Sequence, residues 1–261
     1  MRDTVRRQLV AHQLEEQIAA RFPVGQRLRV LDVGLGQGTQ ALRLARAGHQ
    51  VTGIEADPSM IKTVRTAVAA EPEGIRERFR LIEGNGRDTG AHFLPGSFDV
   101  VLCHSVLMHV QQPDPTLAGL ARVLAPGGLL SLLVRNADAL AMRPALAGDW
   151  ETALAAFDSP QYRNRAGQPA RADRLGSLTA TLTGIGVPLH AWYGVRVLTD
   201  QVADDAQPSG VRELELMLAA EDRAGRTDPY RAVATLLHLC GVRGFPRDSS
   251  AGASRPAGPN T

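Results

Sequence analysis

Three closely spaced glycines follow an apolar segment that contains one aspartate. The stretch RVLDVGLGQGTQ spans residues 29–40, and in it Asp32 precedes Gly34, Gly36 and Gly38. Glycine adopts backbone conformations that other residues avoid, and it lets the backbone approach a ligand closely. A glycine turn after a strand can bind NAD, the phosphate of a nucleotide or S-adenosylmethionine (SAM). The residue types and their spacing therefore predict a binding site for one of these three ligands.

The spacing of the glycines helps to separate the three ligands. The dinucleotide fingerprint is GxGxxG, whereas this turn reads GxGxG. A phosphate-binding P-loop continues with Gly-Lys-Ser or Gly-Lys-Thr, and here Thr39 follows Gly38 directly, without the lysine. The turn therefore predicts a ligand that need not be held through a phosphate.

Further polar residues stand near the ends of the next predicted strands. Glu55 ends the second strand, 23 residues after Asp32, where an acid can accept hydrogen bonds from both hydroxyls of a ribose. The sequence GNGRD places Arg87 and Asp88 after the third strand. The fourth-strand segment FDVVLCHSVLMHV contains His104. These side chains are candidates for the same ligand site as the glycine turn.

The elements that must position these residues alternate between helices and strands. Apolar spacing predicts a first helix within residues 4–21, and Asp57 is expected to cap a later helix that begins at Pro58. Helices are also predicted at residues 39–47 and 114–125, and strands at residues 28–33, 50–56, 78–84, 98–106 and within 126–136. This alternation predicts an α/β fold with a mainly parallel sheet and helices on both faces.

The regular alternation ends after Asn136. The following segment, residues 137–175, is rich in Ala, Arg, Gly and Pro. Beyond it, the patterns predict a helix at 177–186, a sixth strand at 191–200, and helices at 211–225 and 230–241. From Pro246 onward the chain is rich in Ser, Gly, Pro and Ala, a composition typical of disorder.

The first half of the chain resembles the class I SAM-dependent methyltransferases. The GxGxG turn after an acid-tipped strand, Glu55, GNGRD, the fourth-strand segment and ARVLAPGGLLSLLV occur in the order that this class shows. The resemblance implies a Rossmann-like, doubly wound fold, with a mostly parallel seven-stranded sheet and helices on both faces. It also implies SAM as the cofactor and S-adenosylhomocysteine (SAH) as the product. Together with the closer resemblance of the second half, given next, it implies cofactor contacts at Arg6, Asp32, Gly34, Leu35, Gly36, Gly38, Glu55, Ala56, Gly86, Arg87, Asp88 and His104.

The second half is similar to the bacterial tRNA 5-carboxymethoxyuridine methyltransferases. The similarity lies in Asn136-Ala137, in Met142 and in the segments AGDW at 147–150 and GVRV at 194–197. That family esterifies the carboxylate of a modified uridine in the anticodon loop of tRNA. The resemblance places Arg196 as an anchor for a carboxylate or a phosphate, with Asn136 and Tyr193 near it.

The resemblance covers most of the chain and implies one methyltransferase domain over residues 1–245. The SAM-binding half is expected at 1–136, the substrate side at 137–245, and a disordered tail at 246–261. No catalytic residue is assigned, because a carboxylate is already ionised at neutral pH and needs no general base. An amine or phenol would often need one, and His104 and His109 are the candidates for that role.

Three functions remain open from the sequence. The leading hypothesis is methylation of a carboxylate on a tRNA uridine, with phosphate contacts from Arg163, Arg165, Arg171, Arg174 and Arg196. The second is methylation of a small metabolite or natural-product carboxylate or hydroxyl, in an apolar pocket that Trp150, Phe157, Tyr162, Trp192 and Tyr193 could line. The third is a protein that binds SAM without turnover.

The composition bounds these hypotheses. The net charge of +2 is small for a protein that binds RNA, although all but one of the 29 basic residues are arginines. Cys103 and Cys240 form no metal-ligand spacing, so no metal is expected. No apolar run approaches the ~18 residues of a membrane span, and no signal peptide is evident. We therefore expect a cytoplasmic protein that does not contact membranes, and the sequence leaves its oligomeric state open.

Overall fold

The structure is a computed structural model, and it describes residues 2–164, 167–202, 206 and 208–245. Arg2 and Arg87 are described by their backbone only. The tail predicted to be disordered, residues 246–261, and Arg165 lie outside the described residues.

One seven-stranded sheet forms the centre of the molecule, in the order β3-β2-β1-β4-β5-β9-β8. Its strands are β1 (Arg29–Val33), β2 (Gln50–Glu55), β3 (Phe79–Glu83), β4 (Phe98–His104), β5 (Leu124–Arg135), β8 (Leu189–Val195) and β9 (Leu236–Val242). Strands β1 to β5 pair in parallel, whereas β9 is antiparallel to both of its neighbours. Strand β8 therefore runs in the same direction as β5. The mostly parallel seven-stranded sheet is confirmed.

Helices cover both faces of this sheet. They are α1 (Arg2–Ala19), α2 (Thr39–Arg46), α3 (Pro58–Ala69), α4 (Glu73–Arg76), α5 (Thr89–His92), α6 (Pro113–Val123), α7 (Met142–Leu146), α8 (Trp150–Asp158), α9 (Leu175–Gly184) and α10 (Val211–Arg226). On one face, Leu14 of α1 and Leu44 of α2 pack against buried strand residues. On the other face, Leu120 of α6 and Leu182 of α9 do the same. The doubly wound arrangement is confirmed.

Local sequence explains where the cofactor-side helices begin. The Asp57 carboxylate accepts hydrogen bonds from the backbone N–H groups of Ser59, at 2.7 Å, and Met60, at 3.3 Å. Pro58 occupies the first helical position of α3, where no N–H is needed. The predicted cap of α3 is therefore confirmed, and it fixes the turn that leaves β2 at Glu55.

The helix predicted at residues 230–241 is wrong. A short 3₁₀ turn spans Tyr230–Val233, and strand β9 follows it. The segment LLHLCGV is short, almost wholly apolar and buried, and such a run fits a buried helix or a central strand equally well. The segment forms a strand because it lies between β5 and β8, where pairing with both neighbours satisfies its backbone N–H and C=O groups.

The sixth predicted strand is confirmed but ends earlier than expected. Strand β8 stops at Val195 rather than reaching residue 200. The next residue, Arg196, has a φ of 61°, a left-handed conformation that does not continue a strand. Arg196 therefore lies just beyond the strand, at the edge of the sheet that also holds the carboxyl end of β5.

A small unit follows β5 before the chain returns to the sheet. It contains α7, α8 and a hairpin of β6 (Gln161–Arg163) and β7 (Pro169–Arg171). A backbone bridge between Asn136 and Asp173 ties the hairpin to the end of β5.

None of the described helices combines the length and apolar character needed to cross a membrane. Within the same residues, no cluster of three His, Cys, Asp or Glu side chains could hold a metal ion. The division into a cofactor half and a substrate half remains a prediction.

Candidate active site

A cleft of about 1350 Å³ opens at the carboxyl ends of β1, β2 and β4, and the start of α1 lines one of its walls. Nine of the residues predicted to contact the cofactor line it. They are Arg6, Asp32, Gly34, Leu35, Gly36, Glu55, Ala56, Gly86 and His104. The fold thus brings together residues that lie as far apart as 98 positions in the sequence.

Two other predicted cofactor residues do not line the cleft. Gly38 lies at the start of α2 and has a φ of 71°. A Cβ added at this position would lie only 3.1 Å from the Val64 side chain, so both the backbone conformation and the space favour glycine. Asp88 is exposed in the 3₁₀ turn that follows Gly86. The side chain of Arg87, the twelfth predicted residue, is outside the described part of the chain.

The glycine turn is built from left-handed residues. Gly34 has a φ of 74° and Gly36 a φ of 52°, values that a side chain would strain. A Cβ added at Gly34 would overlap the side chain of Val106, whereas no atom lies within 4 Å of one at Gly36. Gly34 therefore allows the turn to pack against the segment after β4, and Gly36 leaves open space beside the cleft.

Gly86 also requires glycine for a packing reason. A Cβ at this position would overlap Cγ1 of Val33, at the end of β1. The Thr89 hydroxyl donates to the Gly86 carbonyl at 2.7 Å and closes the turn after β3. The backbone of GNGRD can therefore lie close against β1, at the cleft wall.

Glu55 joins the end of β2 to the glycine turn. Its Oε2 accepts the N–H of Gly36 at 2.7 Å, and its Oε1 accepts the N–H groups of Ala56, at 2.9 Å, and Asp57, at 3.0 Å. A carboxylate offers about four acceptor positions. Glu55 therefore retains capacity for about one ribose hydroxyl while it holds the turn, and two hydroxyls would have to displace the Gly36 N–H.

Asp32 is the buried acid of the cleft. Burial raises its pKa to about 7, and the negative charge of Glu55 adds to the effect. A carboxyl group that titrates near neutral pH gains its charge readily when a cation approaches, because the opposite charge lowers its pKa. Asp32 is therefore suited to an ammonium or sulfonium group of a ligand.

His104 is neutral at physiological pH. Burial lowers its pKa to about 4, and the positive charge of Arg6 acts in the same direction. Its Nε2 lies 2.8 Å from the Oγ of Ser131 on β5. His104 therefore presents an uncharged ring to the cleft.

The three predicted substrate residues do not line the cleft. Asn136 is buried, and its amide donates to the carbonyls of Ala232, at 2.9 Å, and Ala234, at 2.8 Å. Tyr193 is buried, and its hydroxyl accepts from Gln17 at 2.7 Å. Arg196 is buried beside Asp200, with which it forms an ion pair. Their described contacts serve the packing of β5, β8 and β9, so their substrate role stays a prediction without geometric support.

The arginines predicted to bind phosphates are engaged within the protein. Arg171 pairs with Asp173, and Arg174 pairs with Asp138. Arg163 donates to the carbonyl of Gly167 at 2.8 Å. This part of the chain is therefore less cationic than its composition indicates.

The aromatic residues predicted for a metabolite pocket are also dispersed. Trp150 and Phe157 lie on the outer side of α8, where 67% and 71% of their surface is exposed. Trp192 stacks under the guanidinium of Arg231, whose Cζ is 4.0 Å from the ring centre. None of the five predicted aromatic residues is among the described residues that line the cleft.

The sequence analysis missed several residues of the cleft wall. Arg7 lies next to Arg6 on α1, is exposed, and has no ion-pair or hydrogen-bond partner among the described residues. Arg43 and Arg46 of α2 also line the cleft, but they pair with Glu15 and Glu71. The pattern of α1 held no signal for Arg7, because apolar spacing reports only the buried face of a helix.

The cleft fits the cofactor that the resemblance implies. Asp32 on its floor is an acid suited to a cation, and Glu55 is a carboxylate with capacity to accept a hydroxyl. Close backbone approach is possible at Gly36. The cleft is also large enough for a nucleoside ligand together with part of an acceptor.

Comparison with known proteins agrees with this geometry. A family model described as a methyltransferase domain matches residues 31–132. The tRNA 5-carboxymethoxyuridine methyltransferase of Escherichia coli (strain K12) is 32% identical over 214 residues, which cover 82% of this chain and 79% of that protein. The ubiquinone biosynthesis O-methyltransferase of Xanthomonas euvesicatoria pv. vesicatoria is 35% identical over 120 residues, covering 46% of this chain and 48% of that protein.

A solved structure shares the fold. The SAM-dependent methyltransferase of Methanosarcina mazei aligns with a TM-score of 0.59 and 17% identity, covering 88% of this chain and 98% of that one. At this level of identity the similarity concerns the fold alone.

Proposed function

The chain belongs to the family of SAM-dependent methyltransferases that includes the E. coli tRNA 5-carboxymethoxyuridine methyltransferase, and we propose that it methylates a carboxylate oxygen. The leading substrate in this proposal is a carboxymethoxyuridine in the tRNA anticodon loop. The protein is an enzyme, and its cofactor is SAM.

The residues of the cleft floor are assigned to the cofactor. Bound SAM supplies an electrophilic methyl group on a sulfonium, which a lone pair of the acceptor takes as the carbon–sulfur bond breaks. Asp32 would face the cationic methionine end, and Glu55 would accept a ribose hydroxyl. The turn at Gly34 and Gly36 would let the backbone approach the ligand. The neutral ring of His104 would add no positive charge to a cleft that holds a sulfonium.

The observation that carries the choice of a carboxylate is the arginine at the cleft wall. Arg7 is exposed on α1 and has no acidic partner among the described residues. A guanidinium can bind a carboxylate or a phosphate through two parallel hydrogen bonds. An ionised carboxylate needs no general base, so the protein must only hold its oxygen near attack distance, about 3–3.5 Å from the methyl carbon. Arg7 is placed to do this for an anionic acceptor.

The test is methyl transfer from SAM labelled in its methyl group, run in parallel on bulk bacterial tRNA and on a small-molecule extract. We expect label in the tRNA that mild alkali releases, because a methyl ester hydrolyses under these conditions. We also expect tRNA binding that weakens as salt rises. Protein that neither binds nor methylates tRNA would contradict the tRNA substrate while leaving the cofactor assignment intact.

A small-molecule acceptor is the second candidate, and the paired arginines favour it. Arg171, Arg174 and Arg196 are each neutralised by an adjacent aspartate, and the net charge is only +2. Pairing of these arginines within the protein and a small net charge both weaken the electrostatic attraction to an RNA backbone. Label confined to the small-molecule fraction would select this candidate. If tRNA is the substrate, we propose that the protein acts in the cytoplasm.

A further inference from the structure

Four polar side chains connect the cleft to α1 through the buried core, and we call them the His104 relay: His104, Ser131, His238 and Gln13. The Oγ of Ser131 lies 2.8 Å from Nε2 of His104 and 2.8 Å from Nε2 of His238. The Nδ1 of His238 lies 2.8 Å from Oε1 of Gln13. Ser131, His238 and Gln13 have no exposed surface. The relay therefore runs from a residue of the cleft wall, across β5 and β9, to helix α1.

The chemistry of the groups sets the direction of each hydrogen bond. The side chain of Gln13 lies with its amide oxygen toward Nδ1 of His238, and an amide oxygen can only accept, so in this orientation Nδ1 is the donor. Burial holds the pKa of His238 well below its ordinary value, and His104 adds to this effect, so the ring is neutral and its Nε2 carries no proton. The Ser131 hydroxyl must then donate to His238 Nε2, and its oxygen accepts the proton that His104 holds on Nε2.

Cys240 is compatible with the same direction. Its Sγ lies 3.7 Å from Nε2 of His238. Burial raises the pKa of this thiol to about 12, so it remains protonated and can donate weakly to that nitrogen when the nitrogen is bare. Two neighbouring groups, a hydroxyl and a thiol, therefore both offer a proton to a bare His238 Nε2.

We propose that Ser131, His238 and Gln13 are positioning residues that hold His104 with its proton on Nε2, so that the bare Nδ1 offers a hydrogen-bond acceptor to a donor group of the bound cofactor. The Nδ1 of His104 makes no hydrogen bond with any described residue, and the ring lines the cleft. A carboxylate cannot be the partner of this nitrogen, because it has no proton to donate. His104 thus serves the cofactor, and an anionic acceptor must be bound elsewhere.

Stability alone does not account for the relay. Burying hydroxyl and imidazole groups is unfavourable unless they are hydrogen-bonded, and a matched apolar set in the same space can be about as stable. The relay lies among apolar residues on the face of the sheet that α1 covers, including Leu14, Leu102 and Leu129. Only the His104 end of the relay lines the cleft. An apolar core in the same space could not fix the tautomer of the His104 ring, whereas the relay can.

Nuclear magnetic resonance tests the proposal without reference to the methyl acceptor. The full chain is labelled with ¹⁵N in its histidine rings, and two-bond ¹⁵N–¹H spectra distinguish protonated from bare ring nitrogens. His104→Asn and His238→Asn variants assign the two sets of signals. We expect a bare Nδ1 in His104 and a bare Nε2 in His238, and a shift of the His104 Nδ1 signal when SAH is added. A proton on His104 Nδ1, a mixture of tautomers, or no response to SAH would overturn the proposal.

Ser131→Ala tests the positioning role directly. Loss of the hydroxyl should turn His104 into a mixture of tautomers and weaken SAH binding about three- to tenfold, the loss of one hydrogen bond. Thr116→Val, which removes a buried hydroxyl from α6 on the other face of the sheet, is the matched control and should change neither readout. An unchanged His104 tautomer in Ser131→Ala would contradict the relay.

Gln13→Met provides a second variant, at the far end of the relay. Removing the amide oxygen should release the tautomer of His238 and, through Ser131, that of His104. A His238 spectrum that stays the same in this variant would show that Gln13 does not set the direction. The inference rests on the cofactor and not on the acceptor, so a failure to methylate tRNA would leave it unaffected.

Discussion

Glu55 accepts the backbone N–H of Gly36 across 2.7 Å, and this hydrogen bond joins the end of β2 to the turn that follows β1. The same carboxylate holds the N–H groups of Ala56 and Asp57, at the start of α3. One acidic side chain thus organises the two loops between which the cofactor is expected to lie. Its charge also contributes to the raised pKa of Asp32, the second acid of the cleft.

Glu55→Ala should weaken SAM and SAH binding by roughly 1–3 kcal/mol, because one ribose hydroxyl and the Gly36 N–H would lose their acceptor. Isothermal titration with SAH measures this change. Glu83→Ala is the matched control, since Glu83 is the register partner of Glu55 on β3 but does not line the cleft. Equal affinity in wild type and Glu55→Ala would mean that the ribose lies elsewhere.

The affinity for SAH should rise with pH and level off above about 7. Asp32 has a pKa of about 7 in the free protein, and a bound ammonium group requires its ionised form. Below pH 7 the affinity should therefore fall, by at most about tenfold per pH unit. The Asp32→Asn variant should bind SAH weakly, and its affinity for SAH should change little between pH 5.5 and 8. His109 also lines the cleft, so the dependence must persist in His109→Gln if Asp32 causes it.

Asp32 should also make the fold more stable in mild acid than above neutral pH. The folded protein binds this proton more tightly than the unfolded chain does, since burial raises the pKa from 3.8 to about 7. Its contribution to the free energy of unfolding is therefore complete below pH 4 and is lost as the pH rises through 7, by an amount on the order of 3–4 kcal/mol. Denaturant titrations of wild type and Asp32→Asn at pH 5 and pH 8 measure this. The difference in stability between the two pH values should be smaller in the variant.

Gly34→Ala should abolish cofactor binding and destabilise the turn. The left-handed φ of 74° costs an alanine about 1–2 kcal/mol, and its Cβ would also overlap Val106. Gly25→Ala separates the two effects, because Gly25 has a φ of 83° with no atom within 4 Å of an added Cβ. Thermal unfolding and SAH titration are measured for both variants. Gly25→Ala should lose a modest amount of stability and keep its affinity for SAH. A Gly34→Ala protein that binds SAH normally would contradict the close packing at this turn.

Arg7→Ala should raise the KM for an anionic acceptor about tenfold and leave SAH affinity unchanged, since a charge-assisted hydrogen bond contributes about 1.5 kcal/mol or more. If the acceptor is tRNA, the slope of log affinity against log salt should also fall by about one. Arg76→Ala is the control, since Arg76 is an exposed arginine on α4 outside the cleft. An unchanged KM in Arg7→Ala would show that Arg7 does not bind the acceptor.

Arg196→Ala should act mainly on stability. Removing the arginine breaks its buried ion pair with Asp200, and breaking a buried ion pair from one side typically costs about 3–5 kcal/mol. The double variant Arg196→Met with Asp200→Leu should recover much of this loss, because both charged groups of the buried pair are replaced by apolar side chains. Denaturant titration compares the three proteins. A selective loss of acceptor binding in a stable Arg196→Ala protein would instead support the substrate role that the sequence predicted.

Much of the cofactor side could be predicted because its signals are local. The turn from Gly34 to Gly38 needs left-handed residues within five positions, and Asp57 caps α3 through hydrogen bonds to the next turn. Strands β1 to β5 were identified from short apolar runs between helical segments, which are also local signals. The prediction failed at residues 236–242, because a short apolar run has no period that separates a buried strand from a buried helix.

The sequence by itself determined the type of fold, since this follows from short-range patterns that neighbouring residues create, and it indicated the cofactor through its resemblance to the class I SAM-dependent methyltransferases. Only the tertiary structure decided which polar residues face a ligand. Folding buries Arg196 with Asp200 and Tyr193 with Gln17, while it leaves Arg7 open at the cleft. It also places Gln13 against His238, 225 residues away in the chain. Such pairings depend on how helices pack on a sheet, and no local pattern in the sequence encodes that geometry.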